Sequence, residues 1–291
     1  MCSYARKESP MGLTVLSLNV WNGRWYKALQ RYLEQQSREV DVFCFQGMCD
    51  TDAISVTEDL EGTKRANLMH ELRDVLPDFQ GYFAVERRLG DITASVSEPI
   101  LFTFRTGIAM FTRRTLTTLS PPSDIFVFGE YNKPVRVENR YRTPTRPQPF
   151  LNASPRTLQH VVIEYGGEPY LIYNFHGLWD GGSKVDTDER LMQSQRVRKV
   201  LEGHPPYRKI FVGDFNLTVD AASLVMIEEA CRFRNLVVEY GVWTTRSGLY
   251  RERNRDPYAD YALVTEDVRI ASFEVPKVAV SDHLPLIVRV V

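Results

Sequence analysis

Short apolar runs typical of β-strands alternate with amphipathic helical patterns along most of this chain. The run Leu13 to Val20 predicts a first strand, and apolar residues at helical spacing predict a helix over Arg24 to Ser37. Asp41 to Phe45 predicts the next strand, which should end at Gln46-Gly47. Leu158 to Tyr165 and Tyr170 to Phe175 predict a hairpin. Strands of mixed character with helices between them favour a layered α/β fold with mixed sheets.

The same pattern predicts further elements toward the end of the chain. Helices are expected near Lys64 to Leu76, from Asp186 to about Leu201, and over Ala221 to Ala230. Strands are expected at Phe79 to Val85, Ile100 to Phe104, Ile108 to Phe111, Lys209 to Val212, Ala259 to Val264, Val268 to Val275 and Leu284 to Val290. Large α/β folds reach 291 residues as one unit, so we interpret residues 11–291 as one domain and residues 1–10 as a flexible N-terminal extension.

The overall composition narrows the class of protein without identifying a ligand. A hydrophobic fraction of 43% predicts a globular core, and a net charge of −1 gives no whole-molecule attraction to nucleic acid or to an anionic membrane. Any anion-binding surface must therefore be local. The four cysteines lack a paired zinc-type spacing, which favours free thiols in a reducing compartment. With no stretch near the ~18 apolar residues of a membrane span and no signal-peptide core, a cytoplasmic location away from membranes is expected.

Polar residues follow several of the predicted strands, where side chains can leave the core and meet in a cleft. They are Asn19, His176, Asp214, Asn216, Asp260, Ser281, Asp282 and His283. Each residue alone is more typical of a turn or a helix cap than of a catalyst. Together they suit hydrolysis of a phosphate ester, which needs a hard cation, a group that prepares water, and donors for the charge that grows on phosphoryl oxygens.

Two arginine-rich stretches could contact phosphate groups or could be solvated surface loops. The first, Arg136 to Arg156, carries four prolines and is expected to be a long surface loop. The second contains Arg246, Arg251, Arg253 and Arg255 with Tyr250 and Tyr258 nearby. We select Arg156, Arg246 and Tyr250 as candidate substrate-binding residues, because tyrosine beside arginine suits unpaired bases. Asp188 and Arg190 are expected to stabilise a helix start or to contact substrate.

The order of the polar motifs resembles the endonuclease/exonuclease/phosphatase superfamily, which has the deoxyribonuclease I-like fold. The matching motifs are Asn19 in SLNVW, Gln46-Gly47 in FQGM, Asn174-Phe175-His176, Gly213-Asp214-Phe215-Asn216, Ala259-Asp260-Tyr261 and Ser281-Asp282-His283. They extend from near Leu13 to the C-terminal region. The stretch GLWDGGSKVDTDERLMQSQRV resembles uncharacterised bacterial members whose substrate we cannot assign.

The resemblance implies an α/β fold, a four-layer sandwich of two mixed β-sheets packed face to face with helices outside. It implies Mg²⁺, or Mn²⁺ in its place, bound with help from Asn19 and Asp282. It also implies a role for each catalytic candidate. His176 would contact the scissile phosphate or assist the leaving group, Asp214 would orient or deprotonate water, Asn216 would donate to a phosphoryl oxygen, His283 would act as acid/base or as a charged donor, and Asp260 would fix the His283 ring.

One position departs from the superfamily pattern, which has glutamate as the main metal ligand where this chain has Gly47. The glycine could be an incidental change in a competent enzyme, the mark of a protein that binds without hydrolysis, or simply a turn residue. Asp50, Asp52 or Asp282 could also supply the ligand instead. If the glycine impairs metal binding, reverting it to glutamate should raise activity at least ~10-fold.

Three hypotheses for the function remain open from the sequence. The first is a metal-dependent phosphodiesterase that hydrolyses nucleic acid and is impaired at Gly47. The second is a non-catalytic relative that binds phosphate or nucleic acid. The third is a small-molecule or lipid phosphoesterase. The expected partner is therefore nucleic acid or another phosphate ester, and the oligomeric state is left open.

Overall fold

The structure is a computed structural model that describes residues 12–51, 65–93, 101–138, 150–250 and 256–291. The predicted N-terminal extension, most of the first arginine-rich stretch and the arginines at 251, 253 and 255 lie outside these residues, as do Asp52 and Cys2. No helix in the described part of the chain is long and apolar enough to cross a lipid bilayer.

The elements follow one another in mixed order along the chain. The strands are β1 (Thr14–Asn19), β2 (Val42–Thr51), β3 (Phe79–Thr93), β4 (Leu101–Arg113), β5 (Thr117–Phe128), β6 (Val135–Glu138), β7 (Phe150–Ala153), β8 (Arg156–Tyr165), β9 (Glu168–His176), β10 (Arg208–Asp214), β11 (Phe233–Asn235), β12 (Asp260–Thr265), β13 (Ile270–Glu274) and β14 (Leu286–Val290). The α-helices are α1 (Tyr26–Gln36), α2 (Leu68–Val75), α3 (Asp188–Gly203), α4 (Ala222–Ala230) and α5 (Leu236–Glu239). A short 3₁₀ turn, Trp21–Gly23, connects β1 to α1.

Two six-stranded sheets form the body of the structure. The first has the strand order β13-β14-β1-β2-β4-β3 and the second has the order β11-β12-β10-β9-β8-β5. The pair β1–β2 is parallel and so is the pair β9–β10, whereas the other pairs are antiparallel. Both sheets are therefore mixed, as predicted. A separate two-stranded ribbon, β6–β7, occupies part of the first arginine-rich stretch.

Alternation along the strands of the first sheet separates two apolar clusters. Val15, Val42 and Cys44 belong to one cluster, together with residues of the second sheet such as Ile172. The intervening residues, such as Phe43, face the other cluster. Successive side chains of a strand point to opposite faces, so Val15, Val42, Cys44 and Ile172 lie between the sheets.

The helices cover the outer faces of the sheets. Leu29 of α1 and Leu72 of α2 pack in the same cluster as Phe43 of the first sheet. Val197 of α3 and Leu224 of α4 pack with residues of the second sheet. Helix, sheet, sheet and helix form four layers, which confirms the predicted fold class.

Two local predictions were wrong. Strand β2 does not end at Gln46-Gly47 but continues to Thr51, because a β-bulge between Phe45 and Met48 absorbs the irregular residues and pairing with β4 resumes. Helix α3 does not start at Asp186. Thr187 caps it instead, and the Asp186 carboxylate accepts the backbone N–H groups of Ala222 and Ser223 at the start of α4.

Buried amide side chains connect the two sheets directly beneath the strand ends. Gln46 Nε2 donates to Asn174 Oδ1 at 2.7 Å and to Ser17 Oγ at 3.1 Å. Asn174 Nδ2 in turn donates to the carbonyls of Phe45 and Ala109. Both Gln46 and Asn174 are fully buried, so two of the motif residues recognised in the sequence join the sheets.

Candidate phosphoesterase site

The polar strand ends meet because of how the strands are paired. In the second sheet Asp214 at the end of β10 is the register partner of His176 at the end of β9 and of Asp260 at the start of β12. Asn19 ends β1 of the other sheet, and its Nδ2 donates to Asp214 Oδ2 at 2.8 Å. His283 lies in the segment before β14. These predicted residues therefore converge, across both sheets.

These side chains surround one cavity of about 520 Å³. The predicted residues on its wall are Asn19, Gly47, Arg156, His176, Asp214, Asn216, Arg246, Tyr250, Asp282 and His283. Asp260 lies behind the wall and reaches it through His283. The wall also contains residues that the sequence did not single out, namely Trp21, Glu86, Trp179 and Lys184.

Asp214 is the central carboxylate of the site. Its Oδ2 lies 3.7 Å from His176 Nε2 and 3.7 Å from His283 Nε2, and its Oδ1 accepts the backbone N–H of Asn216 at 3.0 Å. Burial acts to raise the pKa of Asp214, but His283, His176 and Lys184 together outweigh it and hold that pKa below its ordinary value. Asp214 is therefore ionised at neutral pH and can accept a proton or bind a cation.

His283 is held from behind by Asp260 and faced by Arg246. Its Nδ1 lies 2.9 Å from both carboxylate oxygens of Asp260, and its Nε2 lies 2.5 Å from Arg246 Nη1. Burial and Arg246 act to lower the pKa of His283, but the carboxylates of Asp260, Asp282 and Asp214 raise it on balance. Burial raises the pKa of Asp260. This geometry suits the predicted role of Asp260, a carboxylate that fixes the imidazole through its second nitrogen.

His176 approaches Asp214 from the opposite side and differs electrostatically from His283. Burial and the nearby Arg156 lower the pKa of His176 well below its ordinary value, so the imidazole is neutral. Its Nδ1 is buried and has no hydrogen-bond partner among the described residues. One neutral and one charge-stabilised histidine therefore flank the same carboxylate, an arrangement that can both accept and donate protons.

Lys184 is a functional candidate that the sequence analysis missed. It is 3% exposed, and its Nζ donates to Asn216 Oδ1 at 2.6 Å. Burial and the charge of Arg246 lower the pKa of Lys184 to about 8. Asn216 also donates from Nδ2 to the Gly177 carbonyl at 3.2 Å, so its side chain is fixed at both ends. The only sequence signal for Lys184 is its place between a strand-end histidine and a capped helix.

The predicted substrate residues Arg156, Arg246 and Tyr250 all reach the cavity wall. Arg156 Nη1 donates to Glu86 at 3.0 Å, and the Arg246 guanidinium lies 4.5 Å from the centre of the Tyr250 ring. Glu86 sits at a β-bulge between Val85 and Arg87, which turns its side chain toward the cavity. Glu86 and Arg156 form a buried ion pair. Burial raises the pKa of Glu86, and the charge of Arg156 acts against that rise.

Gly47 has a backbone that a glutamate would not adopt without rearrangement. Its φ is +62°, and a Cβ built there would lie 2.5 Å from Asn19 Oδ1. That oxygen already accepts the backbone N–H of Trp21 at 2.9 Å. The glycine is thus an integral part of the β2 bulge. Of the proposed substitute ligands, Asp50 is paired with Arg105 at 2.8 Å and does not line the cavity, whereas Asp282 does line it.

The remaining groups can still hold a divalent cation. Ligand atoms of the buried residues Asp214, Asp260 and His283 lie within 4.8 Å of one another. Asp282 adds a further carboxylate on the cavity wall. Oxygen and imidazole donors of this kind suit a hard or borderline divalent ion. Asn19 would contribute less directly to a cation site. Its Nδ2 donates to Asp214, and its Oδ1 already accepts the backbone N–H of Trp21.

The chain gathers histidines and carboxylates at one edge of two face-to-face sheets, a set of groups that suits the chemistry of phosphate esters. The chain belongs to the Endonuclease/Exonuclease/phosphatase family, whose model matches residues 16–283. A search of curated protein sequences found no match.

Solved structures share the fold at low sequence identity. An endonuclease/exonuclease/phosphatase family protein from Bacteroides thetaiotaomicron is 16% identical, with a TM-score of 0.64 over 97% of this chain and 98% of its own. A mannosyl-6-phosphatase from the same species is 16% identical, with a TM-score of 0.63 over 96% and 99%. The human Nocturnin catalytic domain with bound sulfate is 14% identical, with a TM-score of 0.57 over 96% and 94%.

Proposed function

We propose that this protein is a Mg²⁺- or Mn²⁺-dependent phosphodiesterase that hydrolyses nucleic acid, with activity limited by the glycine at position 47. The observation that carries the proposal is the position of Asp214, which lies 3.7 Å from both His176 and His283 in a cavity lined by arginine and tryptophan side chains. A bound cation would stabilise charge on the phosphoryl oxygens. Asp214 and Asp282, the two aspartates on the cavity wall, are the residues that would hold it.

The residues of this chain supply the remaining chemistry. Ionised Asp214 orients or deprotonates the attacking water, because nearby positive charge holds its pKa low. His283, fixed by Asp260 through Nδ1, serves as the acid/base group, and His176 approaches Asp214 from the other side. Asn216 does not face the ligand freely, since Lys184 and Gly177 fix its side chain. We therefore assign it a positioning role.

Aromatic residues beside the cationic groups favour a nucleotide ligand over a bare phosphate ester. Trp21, Trp179 and Tyr250 line the same cavity as Arg246. Unpaired bases stack on aromatic rings, and each such contact contributes about 1–3 kcal/mol. Single-stranded or frayed nucleic acid is the substrate that this combination suits best.

The experiment is an oligonucleotide cleavage assay with a matched pair of aspartate variants. Single-stranded DNA and RNA are incubated with the protein in Mg²⁺, in Mn²⁺ and in EDTA. Asp214→Asn should lower metal-dependent cleavage at least ~100-fold, as expected for loss of an acid–base group. Asp220→Asn, at an exposed position six residues away, should leave cleavage unchanged. Equal cleavage by the two variants, or no cleavage of any nucleic acid by the unmodified protein, contradicts the proposal.

The backbone of Gly47 favours a second candidate, a relative that binds phosphate or nucleic acid without hydrolysis. A positive φ and the proximity of Asn19 show that the local structure is built around the glycine. This candidate predicts salt-sensitive oligonucleotide binding with no product in any metal. Inositol phosphates and phosphocholine lipids in the same assay test the small-molecule and lipid alternatives.

A further inference from the structure

A buried lysine in a polar cavity requires a physical explanation. Lys184 is 3% exposed, and taking an ammonium group out of water is costly unless it is paired. Its Nζ donates to Asn216 Oδ1 at 2.6 Å, and Asp214 is the carboxylate that favours its charge most. An ammonium has three N–H donors, and Asn216 accepts one of them. Lys184 lines the cavity, so its remaining donors are available to a ligand there.

The segment that carries Lys184 is fixed by a second buried cation. Arg190, which is 1% exposed, donates from Nη1 to the carbonyls of Ser183 and Val185 on both sides of Lys184, at 2.8 and 2.6 Å. The Lys184 carbonyl also accepts the backbone N–H of Thr218 at 3.0 Å. Arg190 does not line the cavity, so the suggestion that it contacts substrate gives way to a positioning role. Lys184 is therefore preorganised, which reduces the entropy lost when a ligand binds.

Lys184 and Arg246 act on the same region of the cavity from different parts of the chain. Lys184 lies between β9 and α3, whereas Arg246 precedes β12. Of the nearby charges, Arg246 has the largest effect on the pKa of Lys184, which it lowers. Both cations line the same cavity, and Asp214 is among the carboxylates that favour the charge of each. An anion bound in the cavity would add to that favourable interaction.

We propose that Lys184 and Arg246 form a phosphoryl-binding subsite that holds the phosphate group of a ligand without a bridging divalent ion. The inference rests on the proposed function, because it assumes that the ligand of the cavity carries a phosphate. It deepens that function by separating two tasks: the side-chain cations bind the phosphate, and any metal acts on the chemical step. Charge-assisted hydrogen bonds to phosphate are about twice as strong as neutral ones. The glycine at position 47 also leaves the cavity with one carboxylate fewer to repel an anion.

The test is phosphate binding in the presence of a chelator. Inorganic phosphate is titrated with the full chain in excess EDTA, and the ³¹P line width reports binding. Lys184→Met removes the charge. Lys184→Gln also removes the charge, but its side-chain amide can still donate to Asn216 and so preserve that contact. Lys199→Met removes an exposed lysine from α3 and serves as the control.

We expect the unmodified protein to bind phosphate in EDTA and both Lys184 variants to bind it at least ~10-fold more weakly. The Lys199 variant should match the unmodified protein. The inference is overturned if the unmodified protein binds phosphate only after Mn²⁺ is added, or if the Lys184 variants bind within ~2-fold of it. Because this readout needs neither metal nor turnover, it can succeed when the oligonucleotide assay fails, and the reverse.

Discussion

Replacing Gly47 by alanine should lower the free energy of unfolding by more than the cost of the left-handed backbone conformation alone. The left-handed conformation costs an L-residue about 1–2 kcal/mol, and Gly47 has φ +62°. The new Cβ would also lie 2.5 Å from Asn19 Oδ1. Moving Asn19 away breaks its hydrogen bond from the Trp21 N–H, worth about 1 kcal/mol. We expect a total loss of about 2–3 kcal/mol in the free energy of unfolding.

Gly241 provides the matched control for this experiment. Its φ is +59°, and a Cβ built there has no neighbour within 4 Å. Gly241→Ala should therefore cost only the backbone term of about 1–2 kcal/mol. Urea denaturation followed by tryptophan fluorescence measures both variants. The difference between them isolates the contact with Asn19.

A double-mutant cycle tests the cause directly. In an Asn19→Ala background the extra cost of Gly47→Ala should disappear, giving a coupling of about 1 kcal/mol. If Gly47→Ala and Gly241→Ala are equally destabilised, the contact does not matter and the argument is refuted. A confirmed difference means that the Gly47→Glu reversion first disturbs Asn19. If that reversion then fails to raise activity, the displacement of Asn19 accounts for the failure.

Three further predictions concern the sheet junction, the half-buried His160 and the site. Asn174→Leu removes the amide that bonds both sheets and should cost about 3 kcal/mol or more in urea denaturation, whereas Asn152→Leu at an exposed position should cost under about 1 kcal/mol; similar losses would contradict this. Burial lowers the pKa of His160 to about 4, so the unfolded chain binds a proton that the folded chain does not, and the stability it contributes is lost as the pH falls from 6.5 toward 4. Denaturation midpoints at pH 7 and pH 5 should differ less in His160→Gln, and an unchanged difference counts against the assignment. Asp260→Asn should lower the pKa of His283 in an NMR titration and reduce any hydrolysis at least ~100-fold; an unshifted pKa would show that Asp260 does not act through the imidazole.

Much of the site was predictable because its residues follow strands. Asn19, His176 and Asp214 each end an apolar run, and neighbouring strand ends must meet at one edge of a sheet. Pairing between β10 and both of its neighbours then brings His176 and Asp260 to Asp214. The alternation of runs predicted a layered α/β fold with mixed sheets, and the family resemblance supplied the four-layer sandwich.

The features that the sequence missed depend on contacts between distant segments. The β2 bulge at Gly47 exists because β4 resumes pairing beyond it, and no local pattern reports that partner. Lys184 looks like a solvated loop lysine until the buried Arg190 is seen to hold its segment. Asp186 suits a helix start in sequence, yet it caps α4 rather than α3.

The first strand of the described chain pairs with the last, and this affects when the candidate site can assemble. Strand β14 lies between β13 and β1 inside its sheet, and Ser281 Oγ donates to the Asn19 carbonyl across 262 residues. During synthesis, β1 and β2 can pair early, but one edge of β1 stays open until residues 286–290 emerge from the ribosome. Such long-range closure slows folding and exposes an unprotected edge to aggregation in the meantime. A nascent chain that stalls before residue 282 would carry Asp214 and His176 without Asp282 and His283, which complete the wall of their cavity.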